Sequence, residues 1–299
     1  MKIVQCVPNF SEGRDLEKVE AIVAPLKNRS GFKLISYEPD KNYNRTVVTL
    51  IGDPYQISEA IIEMVGKTTE LINLNNHVGE HPRMGAIDVI PFVPIKNIKM
   101  KECVKIAKEL GKVLNEKYDI PIFLYEEAAS NSDRVNLADI RRGEFEGMNA
   151  KMQNPKFYPD FGKNENHPTA GATAVCAREP LIAYNINLGT NDIKIANSIA
   201  KTIRHSNGGF RYIKAGGAEI ADKGIVQVTM NITNYKKTSI YRVFETVKME
   251  AKRYGVPVLG SEIIGLTPID AIVESIEYYL GLTDFSAEKV IETHLLDIE

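Results

Sequence analysis

The chain has 299 residues, 43% hydrophobic and 25% charged, a globular composition with room for one large domain or two ordinary ones. Its net charge of -2 argues against nucleic acid or a charged membrane surface as partner. Three cysteines, Cys6, Cys103 and Cys176, are far apart and odd in number, which excludes a disulfide framework or a cysteine-rich zinc site. Each sits in an apolar run and is expected to be a buried small hydrophobe in a reducing cytosol. The opening MKIVQCVPNFSEG reaches Pro8 too early for a signal peptide, and no apolar run has the length of a bilayer span. A cytoplasmic protein is expected.

In chain order, KIVQCVPNF predicts a first strand ended by Pro8 and Asn9. From Leu16 the helical period takes over, with Leu16, Val19, Ile22, Val23 and Leu26 on one face. FKLISYE and NRTVVTLIG predict two strands about the turn residues PDKNYN. SEAIIEMVGKTTELI predicts a second helix with Ser58 as its N-cap, and AIDVIPFVPI another strand. An extra unit follows. KECVKIAKELGKVLNEKY puts Cys103, Ala107, Leu110 and Leu114 on one helical stripe, IPIFLYEEA is a strand, and LADIRRGEFEGM one short helix.

The second half repeats the order. ATAVCAREPLIAYNINLG is extended and interrupted by Pro180, and DIKIANSIAKTIRH is a helix closed by NGG. FRYIKAGG and IVQVTMNITN are strands, the latter alternating through Val226, Val228 and Met230. SIYRVFETVKMEAKRYG is amphipathic, PVLGSEIIGL a strand, and PIDAIVESIEYYLG a closing helix with Pro268 at its start. Strand-helix-strand-strand-helix-strand, written twice, predicts an α+β chain of two ferredoxin-like (βαββαβ) subdomains in tandem. Each is a sheet with helices on one face, with a ligand cleft between the two. The expected domains are residues 1–178, including a loop at 151–171, and residues 179–299. That loop has three prolines and little periodicity, so it needs a role as a functional loop or an inter-domain linker.

Chemistry concentrates in NNHVGEHPRMGAIDVIPFVP, which holds His77, Glu80, His81, Arg83 and Asp88. HVGEH has the spacing of a zinc peptidase, which needs both histidines a turn apart on one helix. Gly79 inside the motif and Pro82 after it oppose that helix, so no metal is expected. A second reading makes His81 a general base, because an imidazole with a pKa of about 6.5 takes a proton at neutral pH. A purely structural reading pairs His81 and Arg83 with Glu80 and Asp88 around a sharp turn; spacing leaves both open. Arg45 stands at a strand mouth, where a guanidinium can clamp a carboxylate or merely edge the strand. SNGGFRYIKAGG is glycine-rich, but its helix precedes the glycines, so turns and caps explain it better than a phosphate cradle.

Four phrases, VPNFSEG (7–13), NRTVVT (44–49), GEHPRMGAIDVIPFVP (79–94) and LIAYNINLGT (181–190), together resemble the glutamate formiminotransferase family. The same domain forms the N-terminal half of the bifunctional formiminotransferase-cyclodeaminase, and the resemblance spans essentially the whole chain. It implies transfer of the formimino group from N-formimino-L-glutamate to N5 of tetrahydrofolate in histidine degradation. It also implies the two ferredoxin-like subdomains, a homodimer, tetrahydrofolate as co-substrate and His81 as the catalytic residue. The family carries an acidic partner for this histidine just before the NR phrase, where Glu38 and Asp40 both stand.

The folate-contacting segment of the family maps onto Gly162, Lys163, Asn164, Glu165, Asn166, His167, Pro168, Thr169, Ala170 and Gly171. Its glycines are expected to let the backbone approach a flat ring, and Pro168 to stiffen the path. As a surface loop it should tolerate replacement of Gly171 without loss of stability. The carboxylates of glutamate call for cations, and Arg45, Arg83 and Arg178 are the candidates. No cyclodeaminase domain is expected here, so a separate cyclodeaminase would act downstream. The alternatives are a formyltransferase using N-formylglutamate and a non-catalytic folate-binding protein.

Overall fold

In the first half, β1 (Ile3–Cys6) and β2 (Asn9–Phe10) form one strand path broken at Val7 and Pro8; both pair antiparallel with β4 and β5. The chain then runs through α1 (Leu16–Val23), β3 (Phe32–Asp40), β4 (Arg45–Gly52), α2 (Pro54–Leu71) and β5 (Ile87–Lys96). The Asp15 carboxylate starts α1 by accepting the Lys18 N–H. Asp53, not Ser58, caps α2: its carboxylate accepts the Tyr55 and Gln56 amides, with Pro54 in the first turn. Ser58 lies inside the helix and donates back to the Pro54 carbonyl.

Then come α3 (Met100–Tyr118), β6 (Ile122–Glu126), α4 (Leu137–Arg141), α5 (Glu144–Lys151) and β7 (Thr173–Ala177). The single short helix expected over LADIRRGEFEGM is two, because Arg142 leaves the helical conformation and Gly143 turns left-handed at φ 95°. The sheet order is β3-β4-(β1, β2)-β5-β7-β6, with β5, β7 and β6 mutually parallel. Helices α1, α2 and α3 bury one face through Val48, Leu50, Ile90, Phe92 and Leu124. Where the strands are parallel, apolar residues line both faces, and α4 and α5 cover the second through Ile140 and Met148 against Val89, Phe123 and Ala174. Beside them, the second face of β3 and β4 carries Glu38, Asp40 and Arg45 instead of a helical layer.

The second half contains β8 (Ile182–Leu188), α6 (Ile193–Ile203), β9 (Ile213–Ile220), β10 (Ile225–Ile232), α7 (Ile240–Arg253), β11 (Val258–Ile264) and α8 (Ile269–Leu280). Its sheet is antiparallel, in the order β11-β8-β10-β9. Ile182, Tyr184, Ile186, Val226 and Val228 pack under Ile199, Val243 and Val247 of the helices. In both halves the first four strands take the order fourth, first, third, second.

This computed structural model describes residues 1–297, with side chains through 294. The chain divides into two compact units, Met1–Arg178 and Glu179–Glu299. The extended ATAVCAREPLIAYNINLG is therefore two strands of different sheets. All three cysteines are buried and free. Among the described residues no helix is long and apolar enough to cross a membrane.

Segment 151–171 is no linker between the units, since it joins α5 to β7 within the first. Asp160 and Arg134 form a buried ion pair at 3.0 Å, and Asp160 also accepts the Leu124 amide at 2.7 Å, pinning the segment to β6.

Candidate active site

Asn44 ties the first two phrases to the loop that leads into the third. It is buried in a left-handed conformation, φ 49°, at the turn between β3 and β4. Its Oδ1 accepts the Gly13 amide at 3.0 Å, its Nδ2 donates to the Val78 carbonyl at 3.0 Å, and its own carbonyl accepts His77 Nε2 at 2.8 Å. The loop ahead of β5 is thereby fastened to the strand mouths beside it. Residues 77–82 form no helix. The two nitrogens of His77 are both engaged, Nε2 as donor to Asn44 and Nδ1 as acceptor from Arg83 Nε at 3.3 Å. HVGEH is thus a pinned loop, and among the described residues no group of three or more His, Cys, Asp or Glu could hold a metal ion.

His81 is half-buried on this loop and makes no hydrogen bond among the described residues; its ring tilts toward Tyr43 at 6.1 Å. Its pKa is pushed down to about 3, first by burial, then by the charges of Arg45 and Arg141, with Asp40 opposing. The imidazole is therefore neutral at pH 7, free at both nitrogens and under the charge of two arginines.

The two acidic candidates separate. Asp40 lies directly across the strand pair from Arg45, and its charge acts on both Arg45 and His81. Glu38 is exposed, two residues back, and accepts from Ser36 at 3.1 Å. The three arginine candidates separate too. The Arg45 side chain makes no hydrogen bond or ion pair among the described residues and lies over the Tyr43 ring at 5.3 Å. Arg83 is buried, donating to Glu146 at 2.7 Å, to Glu144 at 3.1 Å and to the His77 carbonyl at 3.2 Å. It fastens α5 to the loop and has little left to offer a substrate. Arg178 follows the far end of β7, about 17 Å of strand from the His81 loop.

The proposed folate segment splits as well. Gly162, Lys163, Asn164 and Glu165 are exposed, and Lys163 pairs with Asp119 at 3.4 Å beside the start of β6. The remainder lies against the His81 loop: Thr169 O accepts Leu74 N and Ala170 O accepts Ala86 N, each at 2.8 Å, and Gly171 bridges Gly85. Pro168 O accepts Asn75 Nδ2 at 2.9 Å, and His167 Nδ1 accepts the Ala170 amide at 3.0 Å. Asn166 donates to Phe145 O at 2.9 Å, while its Oδ1 is buried without a partner. The expectation that Gly171 is a tolerant surface position does not hold. It is buried at φ 68°, and a Cβ there would meet the Met84 carbonyl at 2.2 Å.

Arg141 escaped the sequence reading, and Asp88 was given the wrong partners there. Asp88 sits at a bulge in β5, where Asn9 and Phe10 pair with Val89 and Ile87 and leave it unpaired. It is buried, accepts Met84 N at 2.8 Å and takes Arg141 Nη2 at 2.5 Å. Burial pushes its carboxyl up, opposed by Arg141 and by the Met84 and Gly85 amides. An acid inside the apolar run AIDVIPF demands a partner cation, which was the available signal; nothing in the sequence says that the partner is Arg141.

The chain can now be set beside known proteins. Residues 3–178 match the family described as the formiminotransferase domain, N-terminal subdomain, and residues 183–296 the one described as the formiminotransferase domain. Over 296 residues the chain is 50% identical to the glutamate formimidoyltransferase of Streptococcus pyogenes serotype M1, covering 99% of each. It is 43% identical over 294 residues to the glutamate formimidoyltransferase of Thermoplasma acidophilum, covering 98% of this chain and 97% of that one. Against the formimidoyltransferase-cyclodeaminase of Mus musculus it is 36% identical over 284 residues, 93% of this chain but 52% of that one. The chain belongs to the formiminotransferase family.

Proposed function

We propose that the chain is a glutamate formimidoyltransferase that moves the formimidoyl group of N-formimino-L-glutamate to N5 of tetrahydrofolate, in histidine degradation. The products are 5-formimidoyltetrahydrofolate and L-glutamate. The observation that carries this reading is His81: neutral, half-buried, without a hydrogen-bond partner among the described residues, and beside an arginine equally unengaged.

The reaction joins the formimidoyl carbon to N5 and breaks its bond to the glutamate nitrogen. Attack leaves an extra proton on N5, and the tetrahedral adduct reverts unless that proton is removed. His81 takes it and returns it to the departing glutamate nitrogen, a role worth about 10²–10⁴ in rate. Asp40 is the better placed of the two acids to steady the imidazolium formed in that step, since its charge already acts on the ring. Arg45 has donors to spare for a substrate carboxylate. Of the folate segment, His167, Pro168, Thr169, Ala170 and Gly171 lie against the His81 loop, and the orphaned Asn166 Oδ1 offers an acceptor to a ring N–H. Holding both substrates in line supplies much of the remaining acceleration. A homodimer and a cyclodeaminase acting on the product complete this reading.

The test is product formation from N-formimino-L-glutamate and from N-formyl-L-glutamate, side by side, with tetrahydrofolate. Turnover of the first with release of L-glutamate is expected. Preference for the formyl donor would make the chain a formyltransferase, and folate binding with no turnover of either donor would leave only a binding protein.

A further inference from the structure

The base that this reading needs is, in the free protein, a poor one. At about 3, the His81 pKa leaves the ring neutral but with little hold on a proton, whereas an effective general base sits near the working pH. The groups acting most strongly on the ring come from several elements. Arg45 on β4, Arg141 on α4 and His77 on the same loop push it down, while Asp40 on β3 pushes it up; the Tyr43 ring adds no charge.

The two arginines are not held for any purpose within the fold that uses up their donors. Asp88 grips Arg141 through Nη2 only, with the two side chains 3% and 16% exposed. The Arg141 Nε is buried with no partner, and its Nη1 makes no hydrogen bond among the described residues. Arg45 is unpartnered apart from the Tyr43 ring, and the Arg141 charge acts directly on it. Two guanidiniums close enough to repel, with idle donors, describe a place built for an anion. A carboxylate fits both the planar forks and the charge. Arg83 is tied to Glu144 and Glu146, and Arg178 is at the far end of the sheet, so neither competes for this role.

We propose that Arg141, anchored by Asp88 at the β5 bulge, seats a carboxylate of the glutamate donor together with Arg45, and that seating it turns His81 into an effective base. The inference rests on the formimidoyl-transfer reading and adds to it a residue and a switch. With the seat empty, both cations oppose protonation of His81. With a carboxylate between them, both charges are offset while burial remains, and the ring holds a proton more strongly. The base thus strengthens only when the donor is present. By the same linkage, a protonated His81 tightens carboxylate binding.

The test follows the His81 ring nitrogens by NMR in the full chain, from about pH 4 to about pH 8, with and without saturating L-glutamate as the carboxylate probe. In the free protein the ring should stay neutral down to the bottom of that window, and with glutamate its midpoint should rise into it, a gain of at least about one pH unit or tenfold in proton affinity. The paired variant Asp88→Asn/Arg141→Gln replaces a buried ion pair by neutral partners. It should raise the midpoint of the free protein, shrink the glutamate-induced rise and weaken glutamate binding about tenfold. Glutamate binding that leaves the wild-type midpoint unmoved overturns the inference while formimidoyl transfer stands. No glutamate binding and no formimidoyl transfer overturns both. Should the paired variant fail to fold, the wild-type titration alone decides.

Discussion

The chain builds the same strand order twice and uses one connection in it very differently. From the second helix to the fourth strand, the first unit takes residues 72–86, between α2 and β5; the second takes residues 254–257, between α7 and β11. The short version is a helix stop: Gly255 at φ 66° and backbone bonds from Tyr254, Gly255 and Val256 into the last turn of α7. The long version carries His77, His81 and Arg83 and is tied down by Asn44, Asp88, Glu144 and Glu146. Topology needs only the short one. The added length carries the candidate catalytic residues, and its cost in chain entropy is offset by side-chain ties to three neighbouring elements, the β3–β4 turn, β5 and α5.

The sharpest way to break that contrast is His81→Ala. Transfer should fall by about 10²–10⁴-fold, because the substitution removes the proposed general base. The melting temperature should hardly move, since the ring is half-buried and bonds to nothing. A single measurement of kcat beside a thermal melt checks both. A variant that turns over at near the normal rate would remove the loop from the mechanism.

What the sequence disclosed follows from which signals are local. The helices α3 and α7 and the alternation of β10 were legible because period and composition lie in adjacent residues. The cap of α2 was misjudged because Ser58 and Asp53 are both good caps, and only the geometry of Pro54 decides between them. The split of LADIRRGEFEGM depended on one glycine. At the site, His81 and Arg45 stood out as residues of chemical type in exposed-looking loops. Arg83 looked equally open, yet its partners Glu144 and Glu146 lie some sixty positions away, beyond any spacing argument. Arg141 was invisible for the same reason: the bulge that brings Asp88 to it is a property of strand pairing.

The next largest effect concerns the segment that floors the long connection. Gly171→Val puts a β-branched side chain at φ 68° and 2.2 Å from the Met84 carbonyl, with no counterpart strain in the second unit. Left-handed strain and the clash together should cost about 3 kcal/mol, read as a lower urea midpoint. Folate affinity should fall with it, as the Gly85–Gly171 bridge opens. Wild-type stability in this variant would mean that the loop and its floor are not coupled.

Acid separates the two units more gently. Folding holds His81 at about 3, below the unfolded value of about 6.5, and lowers His77 and His167 as well, each mainly by burial. The unfolded chain then binds more protons in that window. The stability is fully present above about pH 6.5 and is lost as pH falls toward 3. Allowing for the partial exposure of the ring, His81 should account for about 1 kcal/mol of the loss by pH 5. Urea midpoints at about pH 7.5 and about pH 5 should therefore lie closer together in His81→Ala than in wild type. An unchanged gap would place the acid sensitivity elsewhere.

The smallest effect compares one glycine from each of the two connections. Gly79 has an ordinary backbone, but a Cβ there would meet the Tyr43 carbonyl at 2.3 Å and Asn44 Cβ at 2.8 Å. Gly79→Ala should push the loop off the β3–β4 turn, shift His81 against Arg45 and slow transfer about tenfold. Gly255 is the reverse case: exposed, at φ 66°, with open space around any Cβ. Gly255→Ala should cost about 1 kcal/mol of left-handed strain and nothing else, so the melt moves by a few degrees while kcat stays within about twofold. If Gly255→Ala slows transfer as much as Gly79→Ala, the short connection is not the mere helix stop that its geometry suggests, and the division of labour between the two halves falls.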